Sequence, residues 1–179
     1  MKNLYYIRHG ETDSNKFRMW SEFDTPLNAT GYEQAKLAAK QLKDSGIKFD
    51  LIVTSTQPRA YEMADIIADT VNYPKESVLR DPDAHERRCG VLEGTKNLEA
   101  SEEYRKDERA IDKYEGVEKL TDMEDRVNKF YEKLKNLPQD TILVVGHSAF
   151  GRALRRKINN EPYSDNEGSL QNAKLYKFI

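Results

Sequence analysis

Apolar runs and helical stripes alternate along this chain. Leu4-Tyr5-Tyr6-Ile7 is a short aromatic and β-branched run, suited to a buried strand. A polar loop leads to Pro26. Ala35, Ala38, Ala39 and Leu42 then recur at helical spacing, and Gly46 stands where that helix would stop. Leu51-Ile52-Val53 predicts a second strand, and a helix over 59–71 carries Ala60, Met63, Ala64, Ile67 and Val71 on one face. Ser77-Val78-Leu79 predicts a third, shorter strand. From 96 to 119 charge dominates, with sparse apolar points at Leu98, Tyr104, Ile111 and Tyr114. Met123, Val127, Phe130, Leu134 and Leu137 form an amphipathic stripe that stops at Pro138. It is too short for a coiled coil and reads as core packing. Residues 141–145 are a continuous apolar strand, followed by a helix over 149–158 and an alternating last strand, Leu175-Tyr176-Lys177-Phe178-Ile179, expected at an edge.

Fully apolar strands alternating with helices predict an α/β fold, a mostly parallel sheet covered on both faces. In such sheets ligands bind where loops leave the carboxyl ends of strands. The length, 179 residues, suits one domain spanning 1–179, with an insertion or lid around 96–120.

Composition narrows the function classes. Basic and acidic side chains nearly balance, 29 against 31, for a net charge of −2. That gives no electrostatic footprint for a nucleic acid. The one cysteine, Cys89, excludes an internal disulfide and a multi-cysteine zinc site. No apolar run approaches membrane-span length and no signal-peptide pattern precedes the first strand, so a cytoplasmic location without membrane partners is expected.

The strand ends carry the chemistry. Arg8-His9-Gly10-Glu11-Thr12, with Asn15 beyond, follows the first strand, and Gly146-His147-Ser148 follows the fourth. Ser55 and Arg59 follow the second, and Glu86 lies in the loop after the third. Taken singly, each has a plain structural reading: a hydrogen-bonded histidine, a surface cation, a solvated glutamate. Their convergence on one sheet edge suits a phosphoryl group. A neutral imidazole attacks phosphorus, arginines disfavour its protonation and clamp phosphate oxygens, and a carboxylic acid protonates the leaving alkoxide. That account requires no cofactor and no metal.

These residues resemble the histidine phosphatase superfamily in its phosphoglycerate-mutase-like branch. The likeness runs through Arg8-His9-Gly10-Glu11-Thr12, Asn15, Asp24, Pro26, Leu27, Gly31, Gln34 and Ala35, then Ser55, Arg59, Ala60 and Ala64. It continues through Glu86, Gly90, Leu92, Glu93 and Gly94 to Gly146 and His147. The resemblance implies a three-layer α/β/α sandwich. It makes His9 the phosphorylated nucleophile, places Arg8, Arg59 and His147 around the phosphate, and makes Glu86 the acid and then the base. Asn15, Ser21, Ser148 and Arg87 are the candidate substrate contacts. The chain departs from the family at Met19-Trp20-Ser21-Glu22, where a glycine is common, at Thr56-Gln57-Pro58, and at Met63.

Hydrolysis of a small phosphorylated metabolite is the expected activity. The insertion is short, and Ser148-Ala149-Phe150 differs from the Gly-Asn pair usual in mutases. Phosphoglycerate mutase is the first alternative, and a non-catalytic phospho-ligand binder the second. Around the site, Phe17, Trp20 and Phe23 read equally as loop anchors or substrate contacts. The 96–119 segment is expected to present a solvated face, Arg87 and Arg88 to favour a second anionic group or to be surface charges, and His85 to be exposed. An edge strand at the C-terminus allows a monomer or a homodimer.

Overall fold

The computed structural model describes residues 1–162 and 169–179. Five strands form one sheet: β1 (Asn3–Arg8), β2 (Leu51–Ser55), β3 (Leu79–Asp81), β4 (Thr141–Gly146) and β5 (Leu175–Lys177). Their spatial order is β3-β2-β4-β1-β5. The first four run parallel, and β5 joins β1 antiparallel at one edge. The third strand lies two residues beyond the expected position, because residues 75–77 form a turn of 3₁₀ helix after Pro74.

Alternating side chains of the strands feed two separate cores. Ile7, Ile52, Leu143 and Val145 pack under α2 (Ala29–Asp44) and α3 (Pro58–Val71). Leu4, Tyr6, Val53, Ile142 and Val144 face α5 (Leu120–Lys135) and α6 (Ser148–Asn159). This is the three-layer α/β/α sandwich. The helices start and stop on local chemistry. Thr12 and Asn15 close a reciprocal capping box around the short α1 (Asp13–Phe17), and Asn28 caps α2 through the Gly31 N–H. Pro58 opens α3 at its first turn.

A third, small core lies over the carboxyl ends of the strands. Leu92, Ala100 and Ile111 are buried there, with Trp20, Tyr104 and Tyr114 packed against them. It is built by α4 (Leu98–Lys106) and a 3₁₀ helix, Glu108–Lys113. The charged 96–119 segment is therefore not only a solvated face: Tyr104, Ile111 and Tyr114 point inward and anchor it, while Leu98 is exposed.

Phe130 of α5 meets Phe150 of α6 edge to face, with ring centroids 5.2 Å apart. Both are fully buried, so Phe130→Ala should cost about 3–5 kcal/mol. Urea denaturation read by circular dichroism measures that loss as a lower midpoint at unchanged slope.

Candidate active site

β1 and β4 are hydrogen-bonded neighbours, with Arg8 opposite Gly146. The His9 N–H donates to the Gly146 carbonyl at 2.9 Å, carrying the pairing one residue past the strand. His9 and His147 consequently leave the sheet side by side, their ring centroids 5.2 Å apart at 60°. Asn172 bonds the His9 carbonyl from its Nδ2 at 2.8 Å. The Glu11 N–H donates to the Gln34 side-chain oxygen and its carboxylate accepts from Asn28, tying the loop after His9 to the start of α2.

The His9 Nδ1 lies 2.7 Å from the Gly10 carbonyl. A carbonyl only accepts, so Nδ1 carries the proton and Nε2 keeps its lone pair. Burial pushes the His9 pKa well below the ordinary histidine value, and Arg59 and Arg8 push it further. His147 is lowered in the same direction by burial, then by Arg59, His9 and Arg8. Two neutral imidazoles therefore sit beside buried cations at neutral pH.

Arg8, Arg59 and Arg152 line the same cavity of about 230 Å³, with Arg87 as a fourth arginine. Arg8 donates from Nη1 to the Leu170 carbonyl at 2.8 Å. Arg59 reaches the carbonyls of Glu22 and Phe23, at 3.0 and 3.1 Å. Burial pulls Arg59 down to about 10, which leaves it charged at neutral pH. Arg152 donates to the Ser148 hydroxyl at 2.8 Å and the Tyr104 hydroxyl at 2.9 Å, and pairs with Glu108. Burial alone would lower its pKa, but Tyr104 and Glu108 hold it above the ordinary arginine value. In each of Arg8, Arg59 and Arg152, Nε is buried with no hydrogen-bond partner among the described residues. A polar group left so is costly unless something from outside completes it.

Glu86 is placed by a bond from its N–H to the Gln57 side chain, 2.7 Å. Its carboxylate accepts from the N–H groups of Ser148 and Ala149 on Oε2, at 2.9 and 3.1 Å. Oε1 accepts from Phe150 and Arg87, at 3.0 and 3.1 Å. The start of α6 favours negative charge, which fixes a carboxylate at the rim of the cavity.

Asn15, Ser21 and Ser148 line this cavity together with Arg8, His9, Arg59 and Glu86, while His147 lies fully buried beside His9. Arg87 lines the cavity as well, and its guanidinium is also held by the insertion. Its side chain is 1% exposed, and the guanidinium is committed to the Glu118 and Glu108 carbonyls and to Asp112. It anchors the insertion. His85 is half-buried, with its carbonyl bonded by Arg126. The Cys89 thiol is pushed up to about 12 by burial, so it stays protonated. Trp20 both lines the cavity and packs edge to face on Tyr104, centroids 5.4 Å apart.

Sequence reasoning missed Arg152, Tyr104 and Gln57. Arg152 had a usable signal: it shares the inward stripe of α6 with Ala149, Ala153 and Arg156, all buried. A charge at a core-facing position of a helix needs a partner, and here that partner is Glu108.

The lowered histidines make stability depend on pH. Unfolded, each imidazole takes up a proton near pH ~6.5; folded, neither does until lower pH. The unfolded state therefore gains protons first as pH falls. Stability should decline below pH ~6.5, by up to ~1.4 kcal/mol per pH unit for each histidine. Thermal melts across that range, for wild type and His147→Asn, should show a shallower decline in the variant.

The chain matches the histidine phosphatase superfamily (branch 1) over residues 4–178. It is 32% identical over 177 residues to an uncharacterised phosphatase, PhoE, of Bacillus subtilis, covering 98% of this chain and 84% of the relative. It is 30% identical over 161 residues to the phosphoglycerate mutase of Schizosaccharomyces pombe, covering 84% and 76%. A mycobacterial glucosyl-3-phosphoglycerate phosphatase has the same fold at a TM-score of 0.83 and 23% identity, covering 99% of this chain and 92% of that one. Nearly full-length agreement in sequence and fold joins the two-histidine geometry, and the chain belongs to the histidine phosphatase superfamily.

Proposed function

We propose that the protein is a metal-independent phosphomonoester hydrolase that acts on a small phosphorylated metabolite through a phosphohistidine at His9. The observation that carries this reading is the His9 Nε2 lone pair, on a ring held neutral, at a cavity with the guanidiniums of Arg8, Arg59 and Arg152 and a carboxylate at its rim.

The phosphoryl group sits among Arg8, Arg59 and His147, whose donors meet the charge spread over its oxygens in the transition state. The Nε2 lone pair attacks phosphorus and the bond to the leaving oxygen breaks. That oxygen takes a proton that Glu86 passes on from the bound phosphomonoester monoanion. The imidazolium-like adduct is supported through Nδ1–H on the Gly10 carbonyl. Glu86, now a carboxylate, removes a proton from water as the water oxygen attacks phosphorus. The P–N bond breaks and its electrons return to Nε2. A mutase would need water kept from this intermediate.

The cavity continues into a second chamber of about 480 Å³ that shares Arg8, Asn15, Met19, Trp20 and Tyr104. Arg18 and Arg105 line the far part, and no aspartate or glutamate lines that chamber among the described residues. Cations without carboxylates favour a leaving group that itself carries negative charge, with Trp20 and Tyr104 as its apolar wall. A short aryl ester reaches only the first cavity.

Phosphate release in the presence of a chelator tests this reading, with p-nitrophenyl phosphate, 3-phosphoglycerate, and sugar and nucleoside monophosphates as the panel. His9→Ala should remove turnover by roughly three orders of magnitude or more while the fold survives. Glu86→Gln should slow alkyl esters far more than aryl esters, because an activated phenolate leaves without a proton. Equal losses on both would count against Glu86 as the acid. Arg18→Ala with Arg105→Ala should raise KM about tenfold for anionic esters and leave p-nitrophenyl phosphate unaffected. No release from any compound, with conversion of 3- to 2-phosphoglycerate, would replace the hydrolase by the mutase.

A further inference from the structure

The mechanism leaves one buried hydroxyl unused. Tyr6 lies in the middle of β1, in register with Val144 of β4 and Tyr176 of β5. Its ring is fully buried and stacked on Phe178, centroids 5.1 Å apart with 5° between planes. The phenol reaches the end of β4 and makes two hydrogen bonds with a single residue. It accepts from the His147 N–H at 2.6 Å and donates to the His147 carbonyl at 2.6 Å. One hydroxyl serves both because His147 is extended, with φ −127° and ψ 178°. Extended backbone turns the N–H and C=O of one residue to the same side, as in a sheet.

Two glycines make the room for this ring. A Cβ on Gly146 would stand 2.4 Å from the Tyr6 hydroxyl oxygen, and one on Gly151 would stand 2.5 Å from ring carbon Cε1. The end of β4 and the first turn of α6 thus form a slot for a phenol and for nothing smaller-armed or larger. Tyr6 also stays protonated, because burial and then Glu86 hold its ionisation well above the ordinary tyrosine value.

The His147 ring packs edge-on against the His9 ring but has no hydrogen bond to orient it. It is fully buried, and neither ring nitrogen has a hydrogen-bond partner among the described residues. Its direction is inherited from its backbone. The carbonyl is shared with the Gly151 N–H at 3.2 Å, as the first bond of α6. The N–H bonds to Tyr6.

We infer that Tyr6 is a positioning residue whose hydroxyl fixes the backbone of His147 and so aims that imidazole at the phosphoryl group on its way to His9. This rests on the phosphate role proposed above for His147. Tyr6 does not touch the substrate. Its loss therefore costs orientation in the transition state rather than ground-state binding, which lowers kcat and leaves KM nearly unchanged.

Tyr6→Phe keeps the ring, the stacking and the glycine slot while deleting the two bonds. In single-turnover experiments, formation of the phosphoenzyme should slow by about 10- to 100-fold, with KM for p-nitrophenyl phosphate within about threefold. Nitrogen NMR adds a reading that does not depend on activity, since the chain has only three histidines. The His147 ring signals should move in Tyr6→Phe while those of His85 hold. Gly151→Ala, which crowds the ring and leaves the hydroxyl chemistry intact, should reproduce both effects. A lower Tm with kcat and the His147 signals unchanged would make Tyr6 purely structural and overturn the inference. If wild type forms no phosphoenzyme at all, the hydrolase reading fails separately, and the NMR comparison still decides whether Tyr6 orients His147.

Discussion

Parallel pairing of β1 with β4, in the register that sets Arg8 against Gly146, is the constraint on which the site depends. The strands are far apart in sequence, and only their pairing brings His9 and His147 together. The pairing runs past the strand ends through the His9 N–H and is locked below by Tyr6, which reaches from β1 to the backbone of His147. A slip of β1 by one residue would turn His9 to the other face of the sheet and leave His147 where it is. Solid cores on both faces oppose such a slip, because it would also drive Tyr6 and Ile7, each fully buried, into the opposite cores.

Electrostatics then follow from burial. The site concentrates Arg8, Arg59 and Arg152 beside two imidazoles, an arrangement that stays stable only because each guanidinium is held by carbonyls, hydroxyls or Glu108. Burial, and then Arg59 and Arg8, hold the His9 pKa well below the ordinary histidine value. In the proposed hydrolase the same cations would also bind the phosphoryl group, so one set of charges would serve both binding and nucleophilicity. The insertion belongs to this arrangement through Arg152, which links the first turn of α6 to Tyr104 and Glu108.

Much of this was legible in the sequence. Apolar runs located the strands because buried parallel strands have no polar face to disguise them, and the turn residues after them named Arg8, His9, Arg59, Glu86 and His147. The third strand was misplaced by two residues because its three residues include Arg80 and Asp81, whose polarity hides a strand. The insertion was misread because a three-residue core leaves too few apolar points to outweigh its surface charge. Arg87 lines the cavity, but its hold on the insertion was not legible, because its partners, the Glu108 and Glu118 carbonyls, are backbone groups that no sequence pattern displays. Tyr6 read as an ordinary strand aromatic, and its hydroxyl acquired meaning only beside the glycines at 146 and 151.

The proposed hydrolase stands on a covalent bond between phosphorus and the His9 Nε2. The decisive measurement is rapid quenching of the enzyme and a radiolabelled phosphate ester into alkali, in chelator, followed by peptide mapping. An acid-labile, alkali-stable label is expected on the peptide that contains His9, formed before inorganic phosphate in the first turnover. Hydrolysis with no labelled peptide, or a label on any other residue, would contradict it.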